Sequence, residues 1–150
     1  MNRYPVPEGE VLMISSAEEF VKLRCSECQE EYLKAAHDSA SLEVWMEVVS
    51  KFPHMKVWVA HNKTVPIEVL RYLASDADPR VRYFVATKNK LSNDLLALLA
   101  GDADESVRHR IAYNKRTDLA TLEKLANDES QLVSSVAQHR LNKSRHNPVE

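Results

Sequence analysis

Apolar residues recur along this chain in short helical runs, and the runs themselves repeat. "VRYFVATKNK" at 81–90 returns as "VRHRIAYNKR" at 107–116 and is preceded by "MKVWVAHNKT" at 55–64. In the first of these, Val81, Phe84 and Val85 fall at i, i+3 and i+4, which places them on one face of a helix. A second apolar run follows each one: Val69, Leu70, Leu73 and Ala74, then Leu95, Leu96, Leu99 and Ala100, then Leu122, Leu125 and Ala126. The pattern predicts pairs of helices, a short one and then a longer one, joined by a tight connection.

Aligned on an alanine that follows a β-branched residue (Ala60, Ala86, Ala112, Ala137), the repeated segments start at Met55, Val81, Val107 and Leu132, an even step that shortens by one position at the last. A degenerate copy, "AAHDSASLEVW" at 35–45, echoes "AHNKTVPIEVL" at 60–70 and places an earlier unit near Glu31. Such periods mark stacked arrays, because no single unit can bury its apolar face alone.

The punctuation agrees. Asp78 followed by Pro79 reads as an N-cap with proline in the first helical turn, and Asp104 stands in the same column. Pro66, Ser92 and Asp118 stand where each second helix opens. Asn62 and Asn114 fall where a first helix ends, a place where asparagine tolerates a left-handed backbone. Ahead of the units, Ser16 with Glu19 reads as a capping box for a helix over about 17–24, and Ser26 with Gln29 stands in a similar relation. The expected organisation is an acidic N-terminal cap segment at 1–30, a helical repeat array at 31–141 and a fraying polar tail at 142–150, one domain overall.

"VRHRIAYN" at 107–114 followed by "LEKLAND" at 122–128 resembles the leucine-rich repeat variant, a HEAT-like helical unit, and "DADPRVR" at 76–82 resembles the turn between HEAT units. The resemblance covers residues 31 to about 140. It implies an all-α fold: a right-handed α-solenoid of four to five units with an N-terminal helical cap. It implies no particular activity, since such repeats serve many unrelated scaffolds. Some variant-repeat proteins carry an N-terminal iron–sulfur module on a cysteine cluster. Here only Cys25 and Cys28 are available, and no cofactor is expected.

Composition narrows the setting. A net charge of -2 with 44% apolar residues describes a folded, soluble chain. The "VLMI" near the start is too short for a signal-peptide core or a membrane span. Two cysteines without a secretion signal point to the cytoplasm. "CSEC" at 25–28 has metal and redox spacing, and His37 and His61 share a column that could supply further ligands. As a lone pair in a helix, the two cysteines read instead as small, half-buried residues. The pairs Asp76/Asp78 and Asp102/Asp104 recur unit by unit, which suits caps better than a catalytic dyad. No phosphate loop, GxSxG or HExxH is present, so the expectation is a non-enzyme without catalytic or metal residues.

Charge separates two candidate surfaces. Segments 55–64, 80–91 and 107–117 hold ten of the twenty basic residues and no Asp or Glu. Arg82 and Arg108 are expected to pair with the capping aspartates of neighbouring turns. Lys63, Lys88, Lys90, Lys115 and Arg116 are left as a basic ridge suited to nucleic-acid phosphates, the alternative function. The outward stripe of the second helices is mildly acidic (Glu43, Glu47, Glu68, Asp94), with Met46, Arg71, Tyr72 and Leu98 as footholds. That stripe is the expected site for an unidentified protein partner, making the leading reading a non-catalytic scaffold. Trp45 reads as core. Trp58 and Phe84 share a column and read as core or as a subunit interface, which leaves self-association open.

Overall fold

The structure, a computed structural model, describes residues 13–146. Residues 1–12 of the expected cap segment and 147–150 of the expected tail lie outside the described residues. Ten α-helices account for most of what is described, beside one parallel pairing of two-residue strands, so the chain is predominantly helical as expected. It divides between Pro66 and Ile67 into two compact units.

The first unit contains β1 (Met13–Ile14), α1 (Ala17–Arg24), α2 (Gln29–His37), β2 (Ser39–Ala40), α3 (Leu42–Lys51), a 3-10 turn at Pro53–Met55, and α4 (Lys56–His61). Helix α1 packs against α2 and α3, and α3 against α4. Phe20 meets Trp45 edge-on at 5.2 Å between ring centres, both fully buried, so Trp45 is core as its column predicts. Ser16 caps α1 by accepting the Glu19 N–H at 3.1 Å. The reciprocal half of the box is displaced: the Glu19 carboxylate accepts the N–H and the hydroxyl of Ser15, each at 2.6 Å. The predicted Ser26–Gln29 relation is not made either. The Ser26 hydroxyl accepts the Cys28 N–H, and Cys28 itself stands at the N-cap of α2.

The second unit contains α5 (Ile67–Leu73), α6 (Pro79–Ala86), α7 (Asn93–Ala100), α8 (Glu105–Tyr113), α9 (Leu119–Leu125) and α10 (Gln131–His146). Helix α6 packs on α8, α8 on α10, and α7 on α9. The expected alternation of short and longer helices is not found here, since α6 and α7 have 8 residues each while α8 has 9 and α9 only 7. The aspartate caps explain it. They start α6 and α8 two residues ahead of Val81 and Val107, so the first helix of each pair outgrows its apolar run.

Asp78, Asp104 and Asp118 accept the N–H groups of Arg80, Ser106 and Thr121, as N-caps should. Asp76, Asp102 and Asp128 brace the turn just upstream, accepting the N–H groups of Asp78, Asp104 and Ser130. These turns set the register of the last segment. Leu132, aligned with Val107 by the alanine rule, is 63% exposed, whereas Val133 is fully buried. The last interval therefore equals the earlier ones, running from Val107 to Val133 as from Asp102 to Asp128, with Ala137 in the place of Ile111. Helix α10 then continues to His146, through the first residues of the expected tail.

Candidate functional site

On the second helices of the pairs, buried and exposed positions alternate two by two. Val69, Leu70 and Leu73 on α5, and Ala74 just after it, are buried while Glu68, Arg71 and Tyr72 are exposed. On α7, Leu95, Leu96, Leu99 and Ala100 are buried while Asp94, Ala97 and Leu98 are exposed. On α9, Leu122 and Leu125 are buried and Ala120, Glu123 and Lys124 face out. This is amphipathic spacing with a narrow outward stripe. Its large apolar members, Tyr72 and Leu98, are 53% and 52% exposed. In the first unit, Met46 lies on the outward side of α3 with Glu43 and Glu47.

Arg71 is engaged within this stripe. Its Nη1 donates to Asp94 at 2.5 Å and its Nη2 to the Ser92 hydroxyl at 3.3 Å. Asp94 and Leu98 are one helical turn apart, so the pair ties the outward face of α5 to that of α7. The hydrogen bond from Arg71, and then that from Ser92, hold the Asp94 carboxyl down to about 2. Ser92 makes no capping bond to α7, because its hydroxyl serves this cluster.

The buried arginines form the predicted ladder on a different set of aspartates. Arg82 donates through Nε and Nη2 to the two oxygens of Asp102 at 2.7 and 2.9 Å, and Arg108 likewise to Asp128 at 2.8 and 3.2 Å. The remaining Nη1 donates to carbonyls of the preceding turn: Asp76 and Ala77 for Arg82, Asp102 and Ala103 for Arg108. The partners stand two residues before Asp104 and Ser130, the residues that open α8 and α10. A cap faces along its own helix axis, whereas the residue two places earlier faces the arginine. Burial pushes the Asp128 carboxyl up, but the Arg108 hydrogen bond, the Ser130 N–H and the Arg108 charge together carry it below the ordinary value.

The asparagines act through their amides and not through a left-handed backbone. Asn62 has φ −54° and ψ 135°, and Asn114 has φ −64° and ψ 125°, which any L-residue adopts. Asn114 Nδ2 donates to the carbonyls of Ala86 and Lys88 at 2.8 and 2.9 Å, while its Oδ1 accepts the Arg116 N–H. Asn62 bridges Ala35 and Asp38 in the same manner and accepts the Thr64 N–H. Arg140, which sequence reasoning missed, donates Nη1 to the carbonyls of Ala112 and Asn114 at 2.7 and 2.8 Å. Its signal was its place in the asparagine column, hidden by the slip in register.

Of the predicted basic ridge, Lys90, Lys115 and Arg116 are exposed in the second unit and Lys88 is half-buried there, while Lys63 is exposed in the first. Trp58 and Phe84 are both half-buried. Arg24 covers the Trp58 ring at 3.4 Å and the Tyr32 ring at 4.2 Å, a cation–π clamp with no counterpart in the repeated pattern.

Cys25 ends α1 and Cys28 precedes α2, so the pair spans a connection and does not lie in a helix; both are exposed free thiols where half-buried ones were expected. Among the described residues, no three His, Cys, Asp or Glu side chains are grouped to hold a metal ion. No described helix is long and apolar enough to cross a membrane. In comparison with known proteins, the chain matches no family model, no curated protein and no solved structure.

Proposed function

We propose that the chain is a right-handed α-solenoid of four to five HEAT-like units that works in the cytoplasm as a non-catalytic scaffold, binding another protein through the outward face of its second helices. The observation that carries this reading is the exposure of Tyr72 and Leu98 on two helices coupled by Arg71 and Asp94. Exposed apolar side chains held in a fixed relation, with charges around them, are what an interface anchor requires. The solenoid is supported by the even recurrence of the arginine and amide bridges, and by the resemblance of "VRHRIAYN" and "LEKLAND" to the leucine-rich repeat variant. Glu68 and the other outward acids suit a partner segment with positive charge. Met46 is assigned to the same function from the first unit.

The test is quantitative affinity capture with the wild type beside a Tyr72→Ala, Leu98→Ala double variant of unchanged thermal stability. Loss of a specific set of captured proteins is expected. Equal capture by both would show that this face is not the site.

A further inference from the structure

Charge in the second unit is segregated between two kinds of turn. The turns that lead into α6, α8 and α10 hold Asp76, Asp78, Asp102, Asp104, Asp128 and Glu129. The turns that lead into α7 and α9, 87–92 and 114–118, hold Lys88, Lys90, Lys115 and Arg116, and their one carboxylate is Asp118, the cap of α9. The amide of Asn114 donates to the Lys88 carbonyl, and Arg140 donates to the Asn114 carbonyl. Those two bonds bring both basic turns and Arg140 into three successive rungs of one edge.

Most cations of this edge are not neutralised. Among the described residues no ion pair joins Lys90, Lys115, Arg116 or Arg140 to an acid. Although the Lys90 side chain is exposed, partial desolvation by the surrounding protein lowers its pKa, and only Glu68 opposes this through space. Burial lowers that of Arg140 with no opposing carboxylate. On the other turns the reverse holds, since Arg82 and Arg108 already neutralise Asp102 and Asp128.

We infer that this edge binds the phosphate backbone of double-stranded nucleic acid without reading its sequence. Successive helices stack roughly 9–10 Å apart, so the rungs present cations at regular intervals along a line, as a run of phosphates requires. Neither basic turn contains an aromatic residue, and Tyr113 beside them is already met edge-on by His109 at 4.9 Å. Tyr113, 54% exposed, is thus the one described aromatic beside these turns, and a single ring gives no run of platforms for stacking successive unpaired bases, which favours a duplex over a single strand. The chain's net charge of -2 does not oppose this. Helix α8, with 9 residues, separates acidic from basic turns by about 13 Å, beyond a screening length of about 10 Å at 0.1 M salt. A ligand at the basic edge thus meets the local charge.

This surface is distinct from the stripe of Tyr72 and Leu98, and one titration tests it. The full chain is titrated against a random-sequence duplex of roughly 20 base pairs, by fluorescence anisotropy, from about 50 to about 200 mM KCl. Binding at the low-salt end, with a slope of log K on log salt of about −3, is expected. A Lys115→Glu, Arg116→Glu variant should bind at least about tenfold more weakly, with the slope reduced by about 2. Lys90→Glu should act in the same direction, so a folding defect in one variant would not decide the matter. The Tyr72→Ala, Leu98→Ala variant should bind the duplex as the wild type does, which separates failure here from failure of the scaffold reading. Absence of duplex binding at low salt, a flat salt dependence, unchanged affinity in both charge variants, or tighter binding to phosphatidylserine vesicles or polyglutamate than to duplex would overturn the inference.

Discussion

Arg140 stands one repeat after Asn114 and performs the same task with a different chemical group. The Asn114 amide donates to the carbonyls of residues 86 and 88, and the Arg140 guanidinium donates to those of residues 112 and 114. Both satisfy carbonyls at the C-terminal end of a neighbouring helix, groups that its own backbone leaves without donors. The longer arginine reaches the corresponding carbonyls, one repeat on, from α10, which does not turn at this point as α8 does.

Replacing Asn114 by Ala should therefore destabilise the protein by about 2 kcal/mol, the cost of leaving buried carbonyls without donors. Asn114→Gly should be no better than Asn114→Ala, because the backbone there is not left-handed. Urea unfolding of the two variants checks this, and recovery by glycine would contradict the amide bridge.

Arg108 and Asp128 are each about nine-tenths buried. Removing the guanidinium in Arg108→Ala leaves a buried carboxylate with only the Ser130 N–H as donor and takes the guanidinium donor from two carbonyls, and should cost about 3 kcal/mol or more. The double variant Arg108→Met, Asp128→Leu should lose less than the sum of the single changes, since it removes both charges together. A double-mutant cycle by chemical denaturation reads the coupling.

Ala86 and Ala112 are fully buried at the ends of α6 and α8. Leucine at either place should cost about 1–3 kcal/mol through overpacking. A melting temperature unchanged in both variants would show that the helices have more room there than the burial implies.

The Asp94 carboxyl should titrate at about 2. In Arg71→Gln it should move up toward the ordinary value of about 3.9, as read by carbon-detected NMR. The folded-state pKa lies below the unfolded one. The pair's contribution is therefore present above about pH 4 and is lost as pH falls through about 2, and Arg71→Gln should flatten that part of the stability profile.

Helix positions and the aspartate caps were legible because each rests on a local rule: an apolar period, a cap residue, a proline in the first turn. The Tyr72–Leu98 stripe was legible for the same reason, as the complement of Leu70, Leu73, Leu96 and Leu99. What escaped was relational. The alanine column suggested a shortened last interval, whereas Asp128 restores its full length, and only the three-dimensional turn reveals which of Leu132 and Val133 is buried. The asparagines were placed correctly and explained wrongly, since an amide bridge and a left-handed residue leave the same letter in the sequence. Nothing in the local pattern around Arg71 marks its tie to Asp94, because the partner lies 23 residues away on the next helix of the stripe.

The ladder of Arg82 and Arg108 bears on how such a chain can lengthen. Each rung takes its arginine from one stretch of sequence and its aspartate from a point 20 residues further on, in the next stretch. A tandem duplication of residues 82–107 would thus carry in a matched donor and acceptor and leave every flanking rung intact. A single-residue insertion between Arg82 and Asp102 would break one. The next position in the column of Arg82 and Arg108 is Ser134, which has no guanidinium to offer, so the series ends there by a change of one residue type.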